Sequence, residues 1–97
     1  DNTSTIRQRV ENSRQRQLNR QGKANNRLTV NEIDQFCALD SASEHLLQQA
    51  INRLNLSARA YHRILKLART IADMAGIEKI SAQHIAEAIQ YRRLDKR

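Results

Sequence analysis

An all-α domain is the fold that the sequence predicts, on three observations. The 97 residues contain no proline and only two glycines, Gly22 and Gly76, while Ala, Leu, Ile, Gln and Arg dominate, so the chain has few means of turning sharply and is rich in helix formers. Apolar residues recur at helical spacing through most of its length. Helix-start signals precede those periodic runs. The reading is a small bundle of about four core helices, residues 29–97, preceded by a basic helical segment or linker, residues 1–28.

The elements follow in order. In residues 4–20, Ile6, Val10 and Leu18 form a thin stripe in a run of Arg and Gln, which predicts a helix that needs a partner or frays. Arg20 to Arg27, "RQGKANNR", reads as a loop. Thr29 with Glu32 and Ser41 with Glu44 have capping-box spacing and place helix starts near residues 30 and 42. The first of these helices is expected to bury Val30, Ile33, Phe36 and Cys37, and the second Leu46, Leu47, Ala50, Ile51 and Leu54. Ser57 to Gly76, "SARAYHRILKLARTIADMAG", is the best-organised stretch. Ala60, Tyr61, Ile64, Leu65, Leu67, Ala68, Ile71, Ala72, Met74 and Ala75 share one arc of it, and Arg59, His62, Arg63, Lys66, Arg69, Thr70 and Asp73 share the other. Ser57 reads as its N-cap and Gly76 as its left-handed stop. A last helix after Ser81 is expected to bury Ile85, Ala88, Ile89 and Tyr91.

Charge is unevenly distributed. The net charge is +7, and residues 1–28 carry seven cations against two acids. Such a segment suits phosphates, with Arg7, Arg9, Arg14, Arg16 and Arg20 as candidate nucleic-acid contacts; a basic linker, or a polar helix docked on a neighbour, is the alternative. Cys37 is the single cysteine, which excludes an internal disulfide and points to a reducing, cytoplasmic setting. No apolar run is long enough for a membrane helix. The opening "DNTSTIRQRV" suggests a piece of a longer protein.

Several chemistries lack their residues. Two isolated glycines make neither a G-x-x-x-x-G-K-[ST] loop nor a G-x-G-x-x-G turn. His45, His62, His84 and Cys37 lack the spacing of a zinc site. Ser57 and Ser81 read as caps rather than nucleophiles. The expectation is therefore no metal, no catalytic residue and no independent enzymatic activity. The cationic face of residues 57–76 remains. Arg59 falls in the first turn, where the helix dipole disfavours a cation, and a phosphate there would meet both the guanidinium and the helix N–H groups. Arg63, Lys66 and Arg69 follow along the helix as candidate phosphate or interface contacts, although Lys66 and Arg69 have Asp73 on their own helix as an alternative partner.

"LSARAYHRILKLARTIADMAG" followed by "HIAEAIQYR", with "IRQRVENSRQRQLNR" and "LTVNEIDQFCAL" upstream, resembles the C-terminal domain of magnesium-chelatase-like AAA+ ATPases, the ComM (YifB) group of competence-related proteins. The resemblance implies the helical lid of an AAA+ module, with Arg59, in its S-x-R context, as the sensor 2 residue that reaches the γ-phosphate. It further implies a parent that uses ATP and Mg2+, assembles as a homo-oligomeric, hexameric ring, and acts in DNA branch migration. The lid's partners would be the ATPase core of the same chain, neighbouring subunits and DNA.

Overall fold

The computed structural model describes residues 3–95, so residues 1 and 2 of the 1–28 segment and residues 96 and 97 of the 29–97 segment lie outside the described residues. Five α-helices follow one another: α1 (Thr3–Gln21), α2 (Val30–Phe36), α3 (Ser41–Leu54), α4 (Ala58–Met74) and α5 (Ala82–Asp95). One 3-10 turn, Asn25–Arg27, lies between α1 and α2. No strand occurs among the described residues, which bears out the all-α reading of a basic helix ahead of four further helices.

The helix ends follow their local chemistry. Thr29 and Glu32 form the full capping box at α2. At α3 the cap is Asp40, not Ser41: its carboxylate accepts the Ser43 backbone N–H at 2.7 Å, and a charged acceptor outcompetes a hydroxyl for that donor. Ser57 caps α4 through the Ala60 N–H. At the other end Gly76 takes φ 73°, and the Gly76 and Ile77 N–H groups close onto the Asp73 and Ala72 carbonyls, a Schellman stop. Ahead of α5, the Ser81 N–H donates to Nδ1 of His84 at 3.0 Å, so this buried histidine serves as a helix-start acceptor.

Backbone N–H groups hold two of these carboxyls below their usual range: that of Thr29 for Glu32, aided by Lys23, and that of Ser43 for Asp40. A folded value below the unfolded one means that the stabilisation is complete above about pH 5 and is lost as pH falls through the lowered values. The urea midpoint should therefore drop between about pH 5 and pH 3, and Asp40→Asn should flatten part of that slope.

α4 is the hub, packed against α1, the 3-10 turn, α2 and α5, while α5 also packs on α3. Ile33, Cys37, Leu47, Ile64, Leu65, Ala68, Ala72, Ile80, Ile85 and Ala88 are buried in one core. Some expected core positions are not there. Val30 is 54 % exposed at the first residue of α2, Tyr91 is 52 % exposed on α5, and Ala75 lies outside the last turn of α4. The α1 stripe is inverted: Ile6, Val10 and Leu18 are exposed, while Ser13 and Gln17 are buried. The expected loop at residues 20–27 contains the end of α1 and the 3-10 turn, because Gln17, Arg20 and Gln21 all bond to Asn25.

Candidate functional site: the start of α4 and the clasp at its end

The start of α4 is an open cationic end. Ser57, Ala58 and Arg59 are exposed, and the Ser57 cap takes the Ala60 N–H, leaving those of Ala58 and Arg59 ahead of it in the first turn. Arg59 is thus at the second helical position, with its cationic side chain beside the positive end of a 17-residue helix. An anion arriving there meets a guanidinium and backbone donors together. Arg63 is exposed one turn on. Lys66 is half-buried, and its Nζ reaches the Asn26 carbonyl at 3.5 Å rather than Asp73.

Arg69 does not join that face. It is 4 % exposed, with Nη2 on the Ile77 carbonyl at 3.1 Å and on Asp73 at 3.3 Å, while its Nε is buried without a partner. Burial lowers its pKa, and the neighbouring Asp73 opposes that shift. The structure therefore divides the four cations of α4 into Arg59 and Arg63 on the open face, Lys66 at its edge, and Arg69 inside.

A second polar centre lies at the far end of the helix. Asp73 is 2 % exposed, and Arg20 of α1 grips it with both terminal nitrogens, at 2.9 and 3.0 Å. Asn25 fills the space between: it donates to Thr70 and Asp73, accepts from Arg20 and Gln21, and its N–H donates to Gln17. Gln17 in turn donates to Ser13. Sequence reasoning missed this clasp, a polar network that ties α1 to α4. Arg16 joins the same neighbourhood, with Nη2 3.6 Å from where a Cβ on Gly76 would sit. Cations suit this negative end of α4.

Of the basic residues on α1, Arg7, Arg9, Arg14 and Arg16 are exposed, and Arg20 is committed to Asp73 and Asn25. Cys37 is buried, and burial pushes its thiol up to about 11, so it remains a neutral packing group at pH 7. His45 is exposed and His62 half-buried, with His62 set edge-on to the Tyr61 ring. No three metal-ligating side chains gather among the described residues. No helix of the described residues is long and apolar enough to cross a membrane.

The sequence is similar to those of known proteins. The family described as "Magnesium chelatase, subunit ChlI C-terminal" matches residues 1–92. The competence protein ComM of Haemophilus influenzae is 44 % identical over 92 residues, covering 95 % of this chain and 18 % of that protein. The uncharacterized protein YifB of Escherichia coli is 44 % identical over 96 residues, covering 99 % of this chain and 19 % of its own length. YifB of Salmonella typhimurium is 41 % identical over the same length. The chain thus spans about a fifth of the length of these curated relatives. The magnitude and reach of these matches place the chain in the magnesium chelatase ChlI C-terminal domain family.

Proposed function

We propose that this chain is the lid of a ComM-type AAA+ module, with residues 29–97 closing over nucleotide bound to an ATPase core and Arg59 sensing its terminal phosphates. The observation that carries the reading is an exposed arginine at the second position of a capped helix whose opposite face is core. A fixed cation at that point interacts more strongly as charge develops on the transferred phosphoryl group. ATP fits this end of the chain as a phosphate contact only. We assign its cradle, and the Mg2+ that accompanies it, to the core. Arg63 and Lys66 border the same face and suit further phosphate contacts or a neighbouring subunit of a hexameric, homo-oligomeric ring. The parent would work in the cytoplasm on branched DNA, a reading supported by a relative named for competence.

The test is steady-state ATP turnover and ATP affinity of the full-length parent and its Arg59→Ala variant. Turnover is expected to fall at least about tenfold with the ring still assembled, the loss of one charge-assisted phosphate contact. Unchanged affinity and turnover would refute the sensing role.

Arg7, Arg14 and Arg16, exposed along α1, favour a second role for residues 1–28, in which they hold the DNA backbone without reading bases. Three neutralised phosphates predict that log K falls with log salt at a slope near about −2.7 on duplex DNA. Binding that is indifferent to salt would rule it out.

A further inference from the structure

α1 carries an unbroken seam at alternating spacings of three and four residues: Thr3, Ile6, Val10, Ser13, Gln17 and Arg20. In one helix such positions lie on one face. The two halves of that face have opposite fates. The polar half, Ser13, Gln17 and Arg20, is turned inward onto the Asn25 and Asp73 network. The apolar half overhangs the body, with Ile6 51 % and Val10 44 % exposed. A free-standing surface helix would cover its apolar positions and solvate its polar ones. The inversion has a simple origin: the clasp fixes the rotation of α1 about its axis, and that rotation commits Ile6 and Val10 to the same side as Gln17, where both remain exposed.

The exposed half has a defined border. Thr3, Ile6, Arg7, Val10, Glu11 and Arg14 line a shallow trough along the helix. Two arginines against one glutamate make its rim cationic, and the described α1 holds five arginines against that single acid. Pairing of this face with a second copy of itself would set arginine against arginine. An apolar ridge with an acidic rim is the complement, and such a partner would compete with DNA for Arg7 and Arg14.

We propose that the Thr3–Ile6–Val10 seam is the docking face for the preceding part of the parent chain, and that the segment it receives is an amphipathic helix with acidic flanks. The family is described as a C-terminal domain and the relatives are about five times longer than this chain, so in them most of the protein lies ahead of α1. The exposed apolar positions Ile6 and Val10 lie in the N-terminal half of α1, the end that follows the preceding part of those relatives. The clasp then fixes α1 on the lid and the seam fixes α1 on the core. α1 becomes a strut that joins the two, and it rests on the lid reading given above.

The experiment uses the full-length parent without nucleotide. Val10→Cys and Gln8→Cys are labelled with a maleimide, and labelling at each site is followed by peptide mass spectrometry. Gln8 is exposed and bonds only along its own helix to Asn12, on the face turned away from the seam. Val10→Cys should label about ten times more slowly than Gln8→Cys. Equal rates would overturn the proposal. A photo-cross-linker attached at Val10→Cys, in a mixture of isotopically heavy and light protein, then identifies the cover. A same-mass, intrachain product on a preceding segment rich in Asp and Glu is expected. A heavy-to-light product, or one on a segment without acids, would overturn it. Because nucleotide takes no part, an inert Arg59→Ala variant leaves this test standing, and a failed seam leaves the sensing role standing.

Discussion

Asp73→Ala is expected to destabilise the domain by about 3–5 kcal/mol and to free α1 before the rest unfolds. Among the described residues the carboxylate is the single acid between Arg20 and Arg69, and its own side chain is 1 % exposed. Its loss leaves the buried Arg69 charge unpaired beside an already unpartnered Nε, and it removes one of the two acceptors of the Asn25 amide. Uncompensated buried charge is costlier than a missing packing contact of the same size. Asp73→Asn keeps an acceptor for Arg20 and should cost less. Urea unfolding measures the difference, and limited trypsin digestion reads α1 directly: cleavage after Arg7, Arg9 and Arg14 should accelerate in the alanine variant at urea concentrations where the α4 core is still protected. A wild-type cleavage rate would show that α1 is held by something other than this network.

Ile64→Ala is expected to cost about 2–5 kcal/mol, because Ile64 is 1 % exposed on the helix against which most of the other elements pack. Ile64→Val should cost only about 0.5–1.5 kcal/mol. The two lesions should differ in kind. A cavity in the α4 core lowers the midpoint of the whole domain, so trypsin sites in α1 and in α3 should open together. A change below about 1 kcal/mol would mean that the site collapses around the truncated side chain.

The legible parts of this fold are those governed by local rules. The Ser57 cap, the Gly76 stop, the Thr29–Glu32 box and the apolar arc of α4 each depend on residues within one or two turns and stand as read, except that Ala75 is exposed past the helix end and Arg69 and Asp73 of the polar arc are buried. The exposed first-turn position of Arg59, where a cation opposes the helix dipole, was legible from the Ser57 cap two residues earlier. The same rule applies in mirror image to Asp73, an acid in the last turn of α4, and would have marked it as a residue held by something outside its helix. What no local rule supplies is the identity of the partner, since Arg20 is 53 positions away in the chain. α1 was legible only in part for a related reason. The stripe of Ile6, Val10 and Leu18 is too thin to hold it, and the anchors are Ser13, Gln17 and Arg20, whose attraction depends on the polar pocket around Asn25 that exists only after folding. Asp40 displaced Ser41 as cap because a carboxylate one residue earlier suits the Ser43 N–H. Val30 and Tyr91 fit the helical period but lie at an element's start and on an outward face, where periodicity says nothing of what stands opposite.

These features give the two ends of α4 different duties. Its C-terminal end is closed by a buried polar clasp that fixes α1, and its N-terminal end is open, with exposed backbone donors and a cation. The helix between them holds the backbone of Arg59 in a fixed relation to α1. On the lid reading proposed above, that placement would aim a single charge at the terminal phosphates.

The most direct measurement is ATP turnover at saturating ATP in assembled rings of the full-length parent, comparing Arg59→Ala with Arg63→Ala. Both residues are exposed cations one turn apart on α4, so they share bulk charge and differ in position. The lid account predicts at least about a tenfold loss for Arg59→Ala and little change for Arg63→Ala. Equal effects, or none from Arg59→Ala, would contradict it and leave the cationic face to docking alone.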